Sequence, residues 1–233
     1  DSARRLEDAG AAALVMHSLF EEQVTQAHTG RIRHLDPLAH EFAAVLTEFP
    51  AASEYPHAPH EYAEHIRRLK GALAIPVVAS LNGTSAEGWL ETASLLEQAG
   101  ADALEVNYYE IVTDLSRSAE SVESTLRQIA IELKRAVAIP VAVKVSPYFT
   151  AFGHVAQELD RAGVDGIVMF NRFYQPDIDI RTMTAGPSLE LSRSAELLLR
   201  LRWLAILFGR INASLIVTGG VETKDDAIKA LLA

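Results

Sequence analysis

The sequence has no cysteine, which excludes a disulfide framework, a thiolate metal site and a cysteine nucleophile. Positive charge is also scarce: 21 lysines and arginines stand against 31 aspartates and glutamates, for a net charge of −10 at pH 7. Surfaces that bind nucleic acid concentrate lysine and arginine, so we expect no nucleic-acid partner. A chain without cysteine is consistent with a reducing compartment, and we expect a cytoplasmic protein.

The sequence also lacks a hydrophobic run long enough to cross a bilayer, which takes about 20 residues. The longest apolar stretch near the C-terminal end, Leu197–Phe208, is shorter than this and contains Arg200 and Arg202. We interpret it as a helix that faces the core. The first residues show no basic start followed by an apolar run, so we expect no secretion signal and no membrane partner.

Three near copies of one pattern occur along the chain, LEDAGAAALVM, LEQAGADALEV and LDRAGVDGIVM. Each copy predicts the last turn of a helix, a left-handed glycine that ends the helix, and then a buried strand. These glycines are Gly10, Gly100 and Gly163. In a second pattern, at 70–83 and 134–147, a helix leads through Ile-Pro into a strand. Proline is tolerated at such a strand start.

Together with ASLIVTGGV at 213–221, these patterns predict six short apolar strands that alternate with helices. Apolar runs of this kind are typical of strands buried on both faces of a parallel sheet. The rhythm favours an α/β fold, the (β/α)8 TIM barrel, whose usual size is about 250 residues. An open doubly wound sheet is the alternative, which the absence of G-x-G-x-x-G weakens. The predicted helices cover about 59–73, 85–99, 119–137, 150–162 and 188–210.

We expect residues 1–233 to form a single, incomplete barrel domain with six of the eight strands. The chain starts in a helix-like segment and stops in another, so we expect the first and last strands to lie outside it. Residues 21–58 interrupt the rhythm of strands and helices. We interpret them as a loop insertion over the mouth of the barrel, because long strand-to-helix loops lie there.

Polar residues mark the carboxyl ends of the predicted strands, where the catalytic side chains of a parallel barrel gather. Asparagine is depleted in strands, yet three strands end in one, and a lysine stands inside the strand AVKVSP. Amides and a lysine together suit a flat heterocycle rich in donors and acceptors, whereas each asparagine alone also suits a turn. A Gly-Gly pair before a helix start predicts a phosphate-binding turn. The residues are Ser18, Asn82, Asn107, Lys144, Asn171, Gly219 and Gly220.

Two chemical roles are open for Lys144. Its ammonium group can stabilise an anion that forms on a neighbouring ring, or its amine can form a Schiff base with a carbonyl substrate. A lysine that merely reaches solvent at the end of the barrel is the alternative without chemistry. His57, His60 and His65 are close in sequence, but Pro59 keeps the first pair off one helix face. We therefore expect no metal site.

The stretches PVVASLNG, ALEVN, VAVKVSPYF, MFNRF and VTGGV, in this order, resemble the dihydroorotate dehydrogenase family of FMN-dependent (β/α)8 barrels. The resemblance implies FMN as the cofactor, with Lys144 near N1 and the C2 carbonyl of the flavin. It also implies a pyrimidine substrate held against the flavin ring. By resemblance, the cofactor-binding residues are Ser18, Asn82, Lys144, Gly219 and Gly220, and the substrate-binding residues are Asn107 and Asn171.

The segment after the third strand departs from the family pattern N-x-S-C-P-N, because it reads Asn107-Tyr-Tyr-Glu-Ile-Val112. The position of the family's catalytic base falls on Glu110, and the second asparagine is replaced by Val112. Glutamate acts as a general base when it is positioned for that role. The resemblance thus implies Lys144 and Glu110 as the catalytic residues.

The resemblance implies an FMN-dependent oxidoreductase of pyrimidine biosynthesis that oxidises the CH–CH group of a dihydropyrimidine, dihydroorotate to orotate. A fold does not fix its chemistry, so two other functions stay open. One is a Schiff-base aldolase-type lyase that uses Lys144 with Glu110 or Tyr109, and the other is a flavin-binding homologue without catalysis. The expected partner is a small pyrimidine-like molecule, and a homodimer is open as well.

Overall fold

The computed structural model describes residues 2–20, 59–83, 87–108, 110–172, 175–188 and 191–233. Its strands are β1 Leu14–Phe20, β2 Val77–Gly83, β3 Ala103–Tyr108, β4 Val141–Val145, β5 Gly166–Met169, β6 Gln175–Asp179, β7 Thr184–Ser188 and β8 Ser214–Val217. Its helices are α1 Ser2–Asp8, α2 Pro59–Ala72, α3 Glu87–Gln98, α4 Ala119–Ala136, α5 Phe152–Arg161, α6 Ser194–Leu207 and α7 Lys224–Leu232.

Six strands form one sheet in the order β1-β2-β3-β4-β5-β8, and each neighbouring pair is parallel. Helices separate consecutive strands of this sheet. The prediction of six parallel strands in an α/β fold is therefore confirmed. Across the residues that the structure describes, β1 and β8 are the two edges of the sheet.

The helix predicted over 188–210 starts too early, because α6 begins only at Ser194. An antiparallel hairpin, β6–β7, occupies part of the preceding segment. Pro176 and Pro187 are register partners in this hairpin, and proline disfavours a helix interior. The predicted insertion over residues 21–58 lies outside the described residues.

The core lies between the helices and one face of the sheet. Val77, Leu104, Val141 and Ile167 come from four neighbouring strands and are fully buried in it. Burial of such a side chain contributes about 1.5–3 kcal/mol. Within the described part of the chain, no helix is both long enough and apolar enough to cross a membrane.

The predicted left-handed glycines are confirmed, with φ of +95° at Gly10, +96° at Gly100 and +87° at Gly163. The acidic residue three positions before each glycine explains the rest of the repeat. Glu97 accepts hydrogen bonds from the backbone N–H groups of Ala138 at 2.8 Å and Ile139 at 3.1 Å. Each repeat thus ties the end of its helix to the turn that enters a neighbouring strand.

The other two repeats make the same contact. Glu7 accepts from the backbone of Ala74 and Ile75, and Asp160 accepts from that of Asn212 and Ala213. A carboxylate that accepts two backbone N–H groups satisfies donors that the sheet does not use. The repeated acid therefore closes the amino-terminal side of the sheet, opposite the predicted site.

Glu97→Ala is expected to lower the free energy of unfolding by about 1.5–3 kcal/mol, because it removes hydrogen bonds to a charged acceptor. Urea denaturation measures this loss. Glu91→Ala is the matched control, since Glu91 is exposed on the same helix, α3. Equal losses in the two variants would show that the contact to the Ala138–Ile139 turn contributes nothing.

Candidate active site

The face of the sheet opposite the helices carries two layers of polar side chains on β1–β4. Register partners in a parallel sheet share a face, as do residues two apart on one strand. Register joins the members of each layer across neighbouring strands. The lower layer comprises Ser18, Ser80 and Glu105, and the upper layer, nearer the carboxyl ends, comprises Asn82, Asn107 and Lys144.

Asn107 connects the two layers. Its Nδ2 donates to Ser80 Oγ at 2.9 Å, Ser18 Oγ at 3.1 Å and the Leu81 carbonyl at 3.2 Å. The hydroxyls of Ser18 and Ser80 lie 2.8 Å apart and share a hydrogen bond. These contacts fix the orientation of the amide, so its Oδ1 is the group that Asn107 offers to a donor on a ligand.

Lys144 has a carboxylate partner in the lower layer. Its Nζ lies 3.3 Å from Glu105 Oε1, and the side chains are 21% and 11% exposed. A charge this deeply placed needs a partner, and Glu105 is that partner. Sequence reasoning missed Glu105, although a lone acid two positions before Asn107, on the same face of one apolar strand, was a usable signal.

Tyr62 on α2 holds the start of the site in place. One extra residue of β1 shifts the register between Val15 and Ser18. Tyr62 Oη donates to the His17 carbonyl at 2.8 Å and accepts from the Ser80 N–H at 3.0 Å. Burial raises the pKa of the Tyr62 hydroxyl, with the Glu105 charge adding to the effect, so the hydroxyl stays a donor. The extra residue makes a bulge in β1, and this bulge brings Ser18 opposite Ser80.

Tyr62→Phe is expected to lower the free energy of unfolding by about 1–3 kcal/mol. The substitution removes the hydroxyl that accepts the hydrogen bond of the buried Ser80 backbone N–H. Thermal and urea unfolding measure the loss. Tyr148→Phe serves as the control, since Tyr148 is largely exposed. A Tyr62→Phe protein as stable as the control would contradict the bridging role of the Tyr62 hydroxyl.

Glu110 lies after β3 in a separate polar group. The Tyr108 hydroxyl donates to Glu110 Oε2 at 2.6 Å, and Arg117 pairs with the other carboxylate oxygen. Burial and the neighbouring Glu110 raise the pKa of Tyr108. Among the described contacts, nothing joins Glu110 to the two layers. The carboxylate of this predicted base instead accepts from Tyr108 and pairs with Arg117.

Asn171 lies directly beyond β5. Its backbone N–H donates to the Val145 carbonyl at 2.8 Å, which extends the pairing with β4. Its Oδ1 accepts from the backbone of Arg172 at 3.1 Å. The residue thus reaches the same edge of the sheet as Lys144, and no hydrogen bond within the described residues ties it to either layer.

Gly219 and Gly220 form the turn after β8, each with φ of +78°. A Cβ on Gly220 would lie 2.7 Å from the Leu197 backbone nitrogen, and one on Gly219 would lie 2.9 Å from Arg200 Nη2. The backbone of α6 therefore leaves no room for a side chain at Gly220, and the buried Arg200 guanidinium lies beside Gly219. Thr223 then caps α7, as the predicted helix start implies.

Arg200, which sequence reasoning treated only as a charge in an apolar helix, is buried beneath this turn. Its Nε donates to the Thr218 carbonyl at 2.5 Å, and its Nη1 donates to the Glu196 carbonyl at 2.7 Å. Burial lowers the pKa of the guanidinium, which remains charged because an arginine titrates far above neutral pH. Arg200 thus fixes the geometry of the Gly219–Gly220 turn.

The chemistry of this donor set suits a flat, nitrogen-rich ring system. The upper layer offers one ammonium group and two amides along one edge of the sheet, as a flavin or a pyrimidine requires. The ion pair with Glu105 uses the ammonium form of Lys144, whereas a Schiff base needs the neutral amine. No cluster of three potential metal-binding side chains occurs among the described residues, and His57 lies outside them.

A parallel α/β sheet with its polar groups at the carboxyl ends of the strands is the arrangement of α/β barrels and also of open doubly wound sheets. The family model described as dihydroorotate dehydrogenase matches residues 51–233. The chain belongs to the dihydroorotate dehydrogenase family, so the resemblance inferred from the sequence is confirmed. The six-stranded parallel sheet is accordingly six strands of a (β/α)8 barrel.

Curated relatives agree with this family. The catalytic subunit of dihydroorotate dehydrogenase B (NAD(+)) from Shouchella clausii is 29% identical over 167 aligned residues, and the match covers 68% of this chain and 54% of that protein. Dihydroorotate dehydrogenase A (fumarate) from Lactobacillus helveticus is 29% identical over 164 residues, covering 68% of this chain and 53% of its own length. The chain therefore spans about half the length of these relatives.

Solved structures show a similar fold at low sequence identity. A candidate lyase/mutase from Burkholderia cenocepacia J2315 has a TM-score of 0.53 at 17% identity, covering 99% of this chain and 69% of its own. YagE, from the dihydrodipicolinic acid synthase family of E. coli K12, has a TM-score of 0.50 at 17% identity and coverages of 99% and 58%. At this identity the likeness concerns the fold alone.

Proposed function

We propose that the chain is part of an FMN-dependent oxidoreductase that oxidises a dihydropyrimidine, with dihydroorotate as the substrate to test first. The observation that carries this proposal is the upper layer, in which Lys144 stands in register with Asn107 at the carboxyl ends of the strands. Family membership supports the same reaction class. The named relatives use NAD(+) or fumarate, and the acceptor used by this protein is a separate question.

FMN, when bound, supplies the acceptor for the two electrons removed from the substrate. Lys144 is proposed to donate a hydrogen bond to the edge of the ring and to stabilise the negative charge that reduction places there. Asn82 and Ser18 are proposed to complete the cofactor contacts on the same face. Gly219 and Gly220 offer backbone N–H groups to a phosphate at the turn before α7.

Substrate recognition is assigned to the amides. Asn107 has its Nδ2 occupied by Ser18 and Ser80, so its Oδ1 is proposed to accept from a ring N–H. Asn171 is proposed to bind the pyrimidine from the neighbouring strand, β5. We propose a cytoplasmic enzyme with a small-molecule substrate. The amides offer both donors and acceptors, which match the alternating N–H and C=O groups of a pyrimidine.

The first experiment is an absorbance spectrum of the purified protein, with and without added FMN. We expect a flavin spectrum and release of FMN on denaturation. A colourless protein that takes up no FMN would overturn the proposal. Borohydride treatment with a carbonyl substrate would then ask whether Lys144 forms a Schiff base instead.

Glu110→Gln tests the assignment of the proton acceptor. If Glu110 removes the substrate proton, anaerobic reduction of the bound flavin by dihydroorotate should slow by about 10²–10⁴-fold. Stopped-flow spectroscopy measures this rate. Glu120→Gln, which changes an exposed acid on α4, is the control. Reduction at the unmodified rate would assign Glu110 only its contacts with Tyr108 and Arg117.

A further inference from the structure

We propose that Glu105 is a positioning residue for Lys144: it anchors the ammonium group from the lower layer and offsets its charge beneath the cofactor ring. This inference rests on the proposed function, and it adds a residue to which the sequence analysis assigns no role. Its role is to set how strongly the site favours the reduced, more negative cofactor.

The contact and its burial support this role. Lys144 Nζ lies 3.3 Å from Glu105 Oε1, and Glu105 as a whole is only 8% exposed. Among the described residues, no other ion pair includes either group. The two opposite charges therefore offset each other locally, in surroundings where solvent screens them weakly.

Strand register explains why Glu105 lies below Lys144, on the same face of the sheet. Glu105 and Asn107 are two residues apart on β3 and share a face, and Asn107 is in register with Lys144 on β4. Glu105 is therefore one layer deeper than the amine that it holds. An ammonium group has three donors, so one hydrogen bond to Glu105 leaves two that can serve the ring above.

The neighbours of Glu105 in its layer are small. Its register partners are Ser80 on β2 and Ala142 on β4, and Ala142 is in turn paired with Gly166. The Ser80 hydroxyl already bonds to Ser18 and Asn107. Among the described residues, Lys144 is thus the hydrogen-bonded partner of the Glu105 carboxylate.

The effect of Glu105 on the reduced cofactor is tested by the midpoint potential of the bound FMN, measured by dye equilibration. Glu105→Gln keeps the shape of the side chain but leaves the Lys144 charge uncompensated, which favours the reduced cofactor. We expect the equilibrium constant for reduction to rise about tenfold, or about 30 mV for a two-electron couple. Glu105→Asp should give a potential closer to the unmodified protein, and the exposed-site control Glu91→Gln should not shift it.

The pairing itself is tested without cofactor by a double-mutant cycle on urea unfolding. The cycle uses Glu105→Gln, Lys144→Met and the double variant in FMN-free protein. We expect the double variant to be more stable than the two single effects predict, by about tenfold in the unfolding equilibrium constant. Additive effects would overturn the pairing.

The outcomes separate the two proposals. No FMN uptake by the unmodified protein overturns the proposed function, whatever the cycle shows. FMN uptake together with an unchanged potential in Glu105→Gln overturns the inference about Glu105 alone. A raised potential, partial rescue by Glu105→Asp and non-additive unfolding would together support Glu105 as the positioning residue.

Discussion

Replacement of Lys144 by methionine is expected to slow reduction of the bound flavin by dihydroorotate about 10²–10³-fold. That is the usual effect of removing one preorganised group that stabilises developing charge. Methionine keeps most of the length and apolar surface of the side chain and removes the charge together with its three N–H donors. Stopped-flow measurement of anaerobic flavin reduction gives the rate, and the absorbance spectrum shows whether FMN is retained.

Lys144→Arg is the matched comparison. It keeps the positive charge opposite Glu105 but replaces a compact ammonium group by a planar guanidinium, which changes the donor geometry. We expect an intermediate rate for this variant. Unmodified rates in Lys144→Met would contradict an electrostatic role for Lys144 and favour a lysine that only completes the ion pair with Glu105.

Gly220→Ala is expected to have the largest effect on stability. A methyl group there would meet the Leu197 backbone nitrogen at 2.7 Å and the Arg193 carbonyl oxygen at 3.1 Å. Backbone atoms move less easily than a side-chain end, so α6 would have to shift. Left-handed strain of about 1–2 kcal/mol and overpacking of about 1–3 kcal/mol predict a loss of about 2–5 kcal/mol in the free energy of unfolding.

Gly163→Ala separates the two contributions. Gly163 has a similar φ of +87°, but no atom lies within 4 Å of a Cβ built there. We expect only the left-handed strain in this variant, measured by the same urea titration. We also expect weaker FMN uptake in Gly220→Ala alone. Equal losses in both variants would mean that the contact between the turn and α6 is not tight.

The sheet and its order could be predicted because each strand carries its own signal. Apolar runs mark strands buried on both faces, and Gly10, Gly100 and Gly163 end helices wherever they stand. The β6–β7 hairpin could not, because its strands contain proline and glycine and lie away from the core. The alternation of apolar and polar residues in its strands is weak. The helix-favouring composition of the segment that follows therefore led to a predicted helix that begins too early.

The residues of the candidate site could be selected one by one from the sequence, but the contacts between them could not. Asparagine and lysine are unusual in apolar strands, so Asn107 and Lys144 could be selected from their positions in the predicted strands. Their partners depend on strand register, and the register depends on a bulge in β1 that no local sequence signal marks. Ser80, Glu105 and Tyr62 were therefore missed. The acidic residues of the repeats were visible, but their backbone partners are distant in sequence.

The most direct test of the proposed function is an anaerobic titration of the FMN-loaded protein with dihydroorotate, followed by absorbance. We predict that the flavin band bleaches as one orotate forms per FMN, because two electrons leave the substrate for each cofactor. A flavin-loaded protein whose spectrum does not change with excess dihydroorotate would contradict a dihydroorotate-oxidising function.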